Sequence, residues 1–494
     1  MRDPRHNSNR MAAPAANFYA EWRHRCGACP ALREGSGAPP ESLLQSIWQQ
    51  QRLRRDRLRL LDGRAVRVLH PGFLNREGGP DFRGAVLQWE DGSPVNGDVE
   101  VDVDAGGWRA HGHARNPAFR GVILHVVWQP PRTASPGPPV LAVANALDAP
   151  LLELATWLGT EASPALPESL RGRCSAPLRE LPVDSLRQLL EQAGLVRFQG
   201  KARQLAARAR NAGWEQALWE GLFRALGYKH NPWPMQRLAE LRPRWHGDGL
   251  PLATLQRRLL GIAGLLPAEL TRAQRDADDY LRRLWDGWWR ERDAFADCQL
   301  PRSVWRLHGQ RPDNHPQRRL ALAAHWLCRS AFTDELESWC ERHARAEDAP
   351  ERLAAVLQPR ADHFWSRHLT LNSAVSTRPR ALLGAARVTD LAVNVILPWF
   401  AARAGQGGNR ELVAALEAAY LRWPAGEDNA VLRLARERLL GGASARAFRT
   451  AAMQQGLLQV VRDFCDASNA ICEGCRFPEL VGAWQRTASS PPPG

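Results

Sequence analysis

The chain has 494 residues, 44% of them apolar, with 66 Lys or Arg against 52 Asp or Glu and a formal net charge of +14. That length exceeds one small core and predicts roughly two to four domains; the apolar content excludes a disordered or fibrous chain. The basic excess favours a polyanionic partner, and because only Lys201 and Lys229 are lysines, it resides in arginine, whose planar fork binds two phosphate oxygens at once.

Residues 1–38, rich in Arg, Asn, Gly, Pro and Ala, predict a flexible N-terminal tail broken by one short stretch at 18–25. They carry no signal-like apolar region, and runs such as 391–400 fall short of a bilayer span. The expectation is a cytoplasmic protein without a membrane partner. From Glu41 the apolar positions Leu43, Leu44, Ile47 and Trp48 predict a helix continuing through Leu60, with the five arginines between Arg52 and Arg59 on its solvated face. The period then shortens to two. Strands are predicted at 65–70, 84–89, 98–103, 122–128 and 140–143, with turns at Asp62-Gly63, Asp91-Gly92 and Asn96-Gly97.

The order of helix, three strands, irregular segment and further strands predicts an α/β N-terminal core over 39–150, arranged α-β-β-β-α-β with a short second helix. Beyond it, amphipathic segments such as 182–194, 201–211, 214–226, 389–402 and 410–420 predict a larger, mostly α-helical portion over 151–450. Residues 451–494 read as a C-terminal helix, a cysteine cluster and a Ser/Pro tail.

The chemistry concentrates in the α/β core. Asp81 follows a Gly-Gly-Pro turn, and Glu100 and Asp102, two apart in an alternating run, share one sheet face. Carboxylates so placed suit a hard cation, Mg²⁺ or Mn²⁺, with Asp81 and Glu100 as the metal ligands. Glu41, at the head of the first helix, is placed to assist. His111 and His113 could instead form a transition-metal pair with Asp81, Glu100 or His125 completing the shell. His125 itself, inside an apolar run, reads as a hydrogen-bonded core histidine. Most of the tryptophans, Trp48 and Trp89 among them, read as core rather than as platforms for bases.

Pro80-Asp81, followed about twenty residues later by Glu100-x-Asp102, resembles the metal-binding motif of PD-(D/E)xK phosphodiesterases, with Asp102 where that motif has lysine. The resemblance implies a nuclease-like fold and phosphodiester hydrolysis. The missing positive charge leaves three readings: Arg109, His111 or His113 supplies it, Asp102 is a third ligand or general base, or catalysis has been lost. The same residues resemble a bacterial family of domains of unknown function. Its recurring pattern is matched at Glu41, Leu44, Gln45, Trp48, Gly79 to Phe82, Gly97, Val99, Glu100, Trp108, His111, His113 and Ile123 to Val127. The likeness continues through Leu226-Gly227-Tyr228-Lys229 and Asn231, and through Asn394 and Pro398. It departs at Asp102, where the family has histidine, and at Gly107, where it has an acid. This resemblance implies no activity of its own.

Cys465, Cys472 and Cys475 resemble the first three ligands of the iron–sulfur loop of endonuclease III-type glycosylases, with Val481 at the fourth position. With Cys174, a histidine, Cys26 or Cys29 folded back, they would hold zinc or a cluster in a structural role. The function expected is a metal-dependent nuclease acting on DNA, its catalytic group drawn from Glu41, Asp81, Glu100, Asp102, His111 and His113. The alternatives are a catalytically inactive nucleic-acid-binding or scaffold protein and a different metallohydrolase built on His111 and His113.

Overall fold

The computed structural model describes residues 17–25, 38–75, 79–90, 92–131, 137–151, 154, 175–228, 230–276, 279–307, 311–441, 448–465 and 475–488. A mixed sheet near the N-terminus is followed by a mostly helical portion. Helix α1 (Phe18–Arg25) precedes α2 (Glu41–Gln49). The strands are β1 (Val66–His70), β2 (Phe73–Leu74), β3 (Phe82–Trp89), β4 (Val95–Asp102), β5 (Val122–Val127) and β6 (Val140–Ala142). Their order is β1-β3-β4-β5-β6, with β2 beside β3. β1, β3 and β4 pair antiparallel, whereas β5 is parallel to β4 and β6 to β5. The crossover from β4 to β5 contains only the four-residue helix α3 (Gly107–Ala110) and two 3₁₀ turns.

Alternation along β4 decides the two faces. Val99 and Val101 are buried against Leu43, Leu44, Ile47 and Trp48 of α2, and the indole N–H of Trp48 donates to the Pro71 carbonyl at 2.9 Å. Glu100 and Asp102 therefore lie on the opposite face. On that face, towards β1, Leu69 and Val86 join the core of the helical portion.

Helix α2 ends at Gln49, well short of Leu60. Gln51 adopts a left-handed backbone with φ of 50°, and the following segment is held by bridges from Leu53 to Leu147 and from Arg59 to Ala65. Leu53, Leu58 and Leu60 enter the sheet core. Two of the arginines read as a solvated face instead join separate parts of the chain: Arg52 pairs with Asp148 at 2.9 Å and Arg55 with Glu240 at 3.3 Å.

In the helical portion, the segments expected at 182–194 and 201–211 form one helix, α4 (Val183–Ala212). Gly194, inside it, is where α4 meets α8 (introduced below): a Cβ there would lie 2.5 Å from the Ala452 carbonyl. Close packing, rather than a break, is the role of that glycine. Next come α5 (Trp214–Leu226), α6 (Pro232–Glu240), a run of further helices, and α7 (Ala385–Gln406), which contains a π-helical turn at Ala392–Ile396. By length and composition α7 could cross a membrane, and most of it is buried within the protein. α8 (Ala451–Val460) runs into a second π turn, Val461–Cys465. Its Asp463 accepts from the Tyr19 hydroxyl at 2.8 Å and pairs with Arg23, also at 2.8 Å, which fastens α1 to the C-terminal helices. Trp48, Trp245, Trp326, Trp339, Trp365, Trp399 and Trp423 are among the largest fully buried side chains, so these tryptophans build core.

Candidate metal centre

The pairing of Phe82 with Val99 sets Asp81 beside Glu100. The Asp81 N–H donates to Glu100 Oε2 at 3.1 Å, and the Val101 N–H donates to Asp81 Oδ2 at 3.1 Å. Gln45, one turn into α2, donates through Nε2 to Asp81 Oδ1 at 3.0 Å and lies 3.3 Å from Glu41 Oε1, so the helix N-terminus reaches the same end of the sheet. Gly79, at φ of 117°, makes the turn that delivers Asp81.

The parallel partner of Glu100 is His125, which places the imidazole on the acidic face. Its Nε2 lies 2.9 Å from Asp102 Oδ2. The crossover then folds over this face. Trp108 is buried, its ring 5.6 Å from His125 and 5.4 Å from His113, and His113 stacks on Phe119 at 3.9 Å. Gly112, at φ of 70°, turns the chain between the two histidines. His111 Nδ1 comes within 3.7 Å of Asp102 Oδ1, and His113 Nε2 within 3.3 Å of Glu100 Oε1. Asp102, His111 and His113 each offer a ligand atom within 4.8 Å of the other two.

Charge at the site is unbalanced. Burial pushes the Asp81 carboxyl up to about 6, with Glu41 adding to the effect against the Val101 hydrogen bond. Burial raises Glu100 further, to about 8, followed by repulsion from Asp81 and then from Asp102 and Glu41. Glu41 is raised by partial burial and by Asp102. No cation is among the leading influences on Asp81 or Glu100. His113, only 9% exposed, is lowered by burial, and neither of its ring nitrogens makes a hydrogen bond. Crowded carboxylates with no cation among their leading influences, beside a buried imidazole whose ring nitrogens make no hydrogen bond, are the donor set that a divalent cation satisfies.

All six residues picked from the sequence, Glu41, Asp81, Glu100, Asp102, His111 and His113, thus come to one end of the sheet. Arg109, considered as a source of positive charge, is exposed. Cys465 and Cys475 are half-buried and pack in a different apolar cluster, with Tyr19, Phe464 and Phe477; Cys472, Cys26, Cys29 and Cys174 lie outside the described residues. Sequence reasoning did not assign Gln45 to the site, although its spacing of four from Glu41 puts both on one helix face. It placed His125 in the core, where it is, without seeing that the β4/β5 register aims it at Asp102.

Residues 41–429 match the family described as "Protein of unknown function (DUF2851)", and the chain belongs to that family. No curated protein and no solved structure matches it.

Proposed function

We propose that this DUF2851 protein is a metal-dependent phosphodiesterase acting on DNA, with Asp81 and Glu100 holding Mg²⁺ or Mn²⁺ and Glu41 assisting. One observation carries the reading: the Asp81 N–H donates to the buried Glu100 carboxylate, so that the two carboxyls meet at one end of β3 and β4 and Asp81 repels Glu100. The order of α2, antiparallel strands, short crossover helix and parallel β5 supports a PD-(D/E)xK-like arrangement.

A bound cation would neutralise charge developing on the phosphate and lower the pKa of the attacking water. The chain's own residues divide the remaining work. Gln45 and the Val101 N–H fix the orientation of Asp81. Asp102, steadied by His125, is placed to accept a proton from water, and His111, with 59% of its side chain accessible, is placed to give one to the leaving oxygen. In this reading His111 takes the part of the motif lysine. A cytoplasmic location suits the reduced thiols that the sequence suggests.

The grouping of Asp102, His111 and His113 favours a second reading, a metallohydrolase whose ion sits on those three residues. Cleavage of labelled single-stranded, duplex and branched DNA with Mg²⁺ or Mn²⁺ tests the first. Metal-dependent cleavage that disappears in an Asp81→Ala, Glu100→Ala double variant is the expected result, and identical traces from the two proteins would sink it. Retained cleavage in that variant, lost instead in His111→Ala, His113→Ala, would move the site to the histidines.

A further inference from the structure

A cavity of about 690 Å³ lies beyond the other end of α2, where the segment that follows it meets the helices. That size is in the range of small-molecule and cofactor sites. Its walls come from the segment after α2, from α4 and α5, from α7 and from residues near the C-terminus. Ten Arg and Lys side chains line it against four carboxylates. Each carboxylate is already engaged: Asp148 by Arg52, Glu240 by Arg55, Glu220 by Arg208 at 2.7 Å and Asp390 by Arg387 at 2.8 Å. Arg311 pairs in addition with Glu427, and basic side chains outnumber acidic ones along the wall.

The most concentrated charge is on α4. Arg197 and Lys201, one turn apart, both donate to the same neutral acceptor, Gln455 Oε1, at 2.8 Å each. Lys201 also donates to Asn394 Oδ1, and Asn394 belongs to the π turn of α7, a distortion frequent at functional sites. In a chain that uses arginine almost everywhere, one of only two lysines stands here. The compact ammonium fits between two amide oxygens where a planar guanidinium would not. Two like charges converging on one amide oxygen are relieved by an anion laid across them.

We propose that this cavity binds a phosphorylated small molecule of nucleotide size, with Arg197 and Lys201 gripping its phosphate. The charge excess demands a multiply charged ligand, and the guanidinium forks of the wall match phosphoryl oxygens. The amide of Gln204 also lines the wall, on the side open to the organic part. The site shares none of its lining with the acidic cluster, so it needs no bound metal.

The test is calorimetric titration of the full chain in EDTA with pyrophosphate and ADP, with adenosine and citrate as controls. Saturable binding of pyrophosphate and ADP is expected, with neither control binding, and at least a tenfold loss of affinity in Lys201→Met. Val431, exposed and on the cavity wall, gives an independent variant: Val431→Trp fills the space without removing a cation and is expected to weaken ADP at least tenfold. Absence of binding by the unaltered protein overturns the proposal. So does citrate binding as tightly as pyrophosphate, or unchanged ADP affinity in Val431→Trp. Thermal unfolding of both variants in the absence of ligand separates a lost site from a lost fold.

Discussion

Asp102 and His125 are joined across the parallel strands β4 and β5, carboxylate Oδ2 to imidazole Nε2 at 2.9 Å, and both are almost fully buried. The carboxylate accepts from the ring, which fixes one Asp102 oxygen and leaves the other facing His111. Replacing His125 by Leu removes the donor and keeps much of the volume. The expected loss is about 1–3 kcal/mol of stability in urea unfolding; with the ion on Asp102, His111 and His113, Mn²⁺ affinity also falls roughly 10–100-fold, as for partners that orient metal ligands. Unchanged Mn²⁺ affinity in a folded variant would remove Asp102 from the site.

Gly107 of the crossover lies against Asp102 of β4. A Cβ at Gly107 would lie 2.6 Å from Asp102 Oδ1. A carboxylate at 107 beside a histidine at 102 would thus occupy much of the space that Asp102 alone fills here. Gly107→Asp is expected to weaken Mn²⁺ binding at least tenfold, by crowding Asp102 and adding a like charge. Adding Asp102→His to that variant is expected to restore most of the affinity. Equal defects in the single and double variants would show that the two positions are not coupled.

Glu100 gives the metal-free protein a stability that declines as pH rises. Its carboxyl, ordinarily near 4.5, is held up to about 8 in the fold, so the folded chain keeps a proton that the unfolded chain has released. This contribution is complete below pH 4.5 and lost as pH rises through 8, at no more than about 1.4 kcal/mol per pH unit. The window from pH 6.5 to 8 lies above the Asp81 carboxyl, at about 6, and below the Glu100 carboxyl, at about 8. The melting temperature in EDTA is expected to fall across that window in the unaltered protein and stay flat in Glu100→Gln. Mn²⁺ should abolish the fall by taking the proton's place. A flat profile without metal would contradict the buried, proton-bearing carboxyl.

His70 acts in the opposite sense at lower pH. Burial, with Arg55 nearby, lowers its imidazole to about 4, and its Nδ1 accepts from the Gly72 N–H at 3.0 Å, a bond that the neutral ring can make. The unfolded chain gains a proton below pH 6.5 that the fold refuses until about 4. Stability is therefore lost on acidification through that window, by up to about 3 kcal/mol. His70→Asn, which retains an acceptor at that position, should be less sensitive to acid. Urea midpoints at pH 7 and pH 4.5 for the two proteins measure the difference.

Five of the six strands were legible in the sequence, with the residues that share their faces; the two-residue β2 was not. Period-two alternation is a local property, so Glu100 and Asp102 were legible as one acidic face before any strand was paired. The Gly-Gly-Pro turn before Asp81, the apolar face of α2 and the helical character beyond residue 150 were legible in the same way. Pairing and burial were not. Where α2 ends depended on Leu53, Leu58 and Leu60 finding the sheet core, and the fate of Arg52 and Arg55 depended on Asp148 and Glu240, residues distant in the chain. The meeting of His111 and His113 with Asp102 and Glu100 required the crossover to close through Gly112, and the contact of His125 with Asp102 required the β4/β5 register. The continuity of α4 through Gly194 rested on close contact with α8. The cavity is walled by segments as far apart in the chain as Arg52 and Arg462. Each of these is a choice among partners remote in sequence, made by the burial of apolar surface and the satisfaction of buried charge, and neither is encoded in a local pattern.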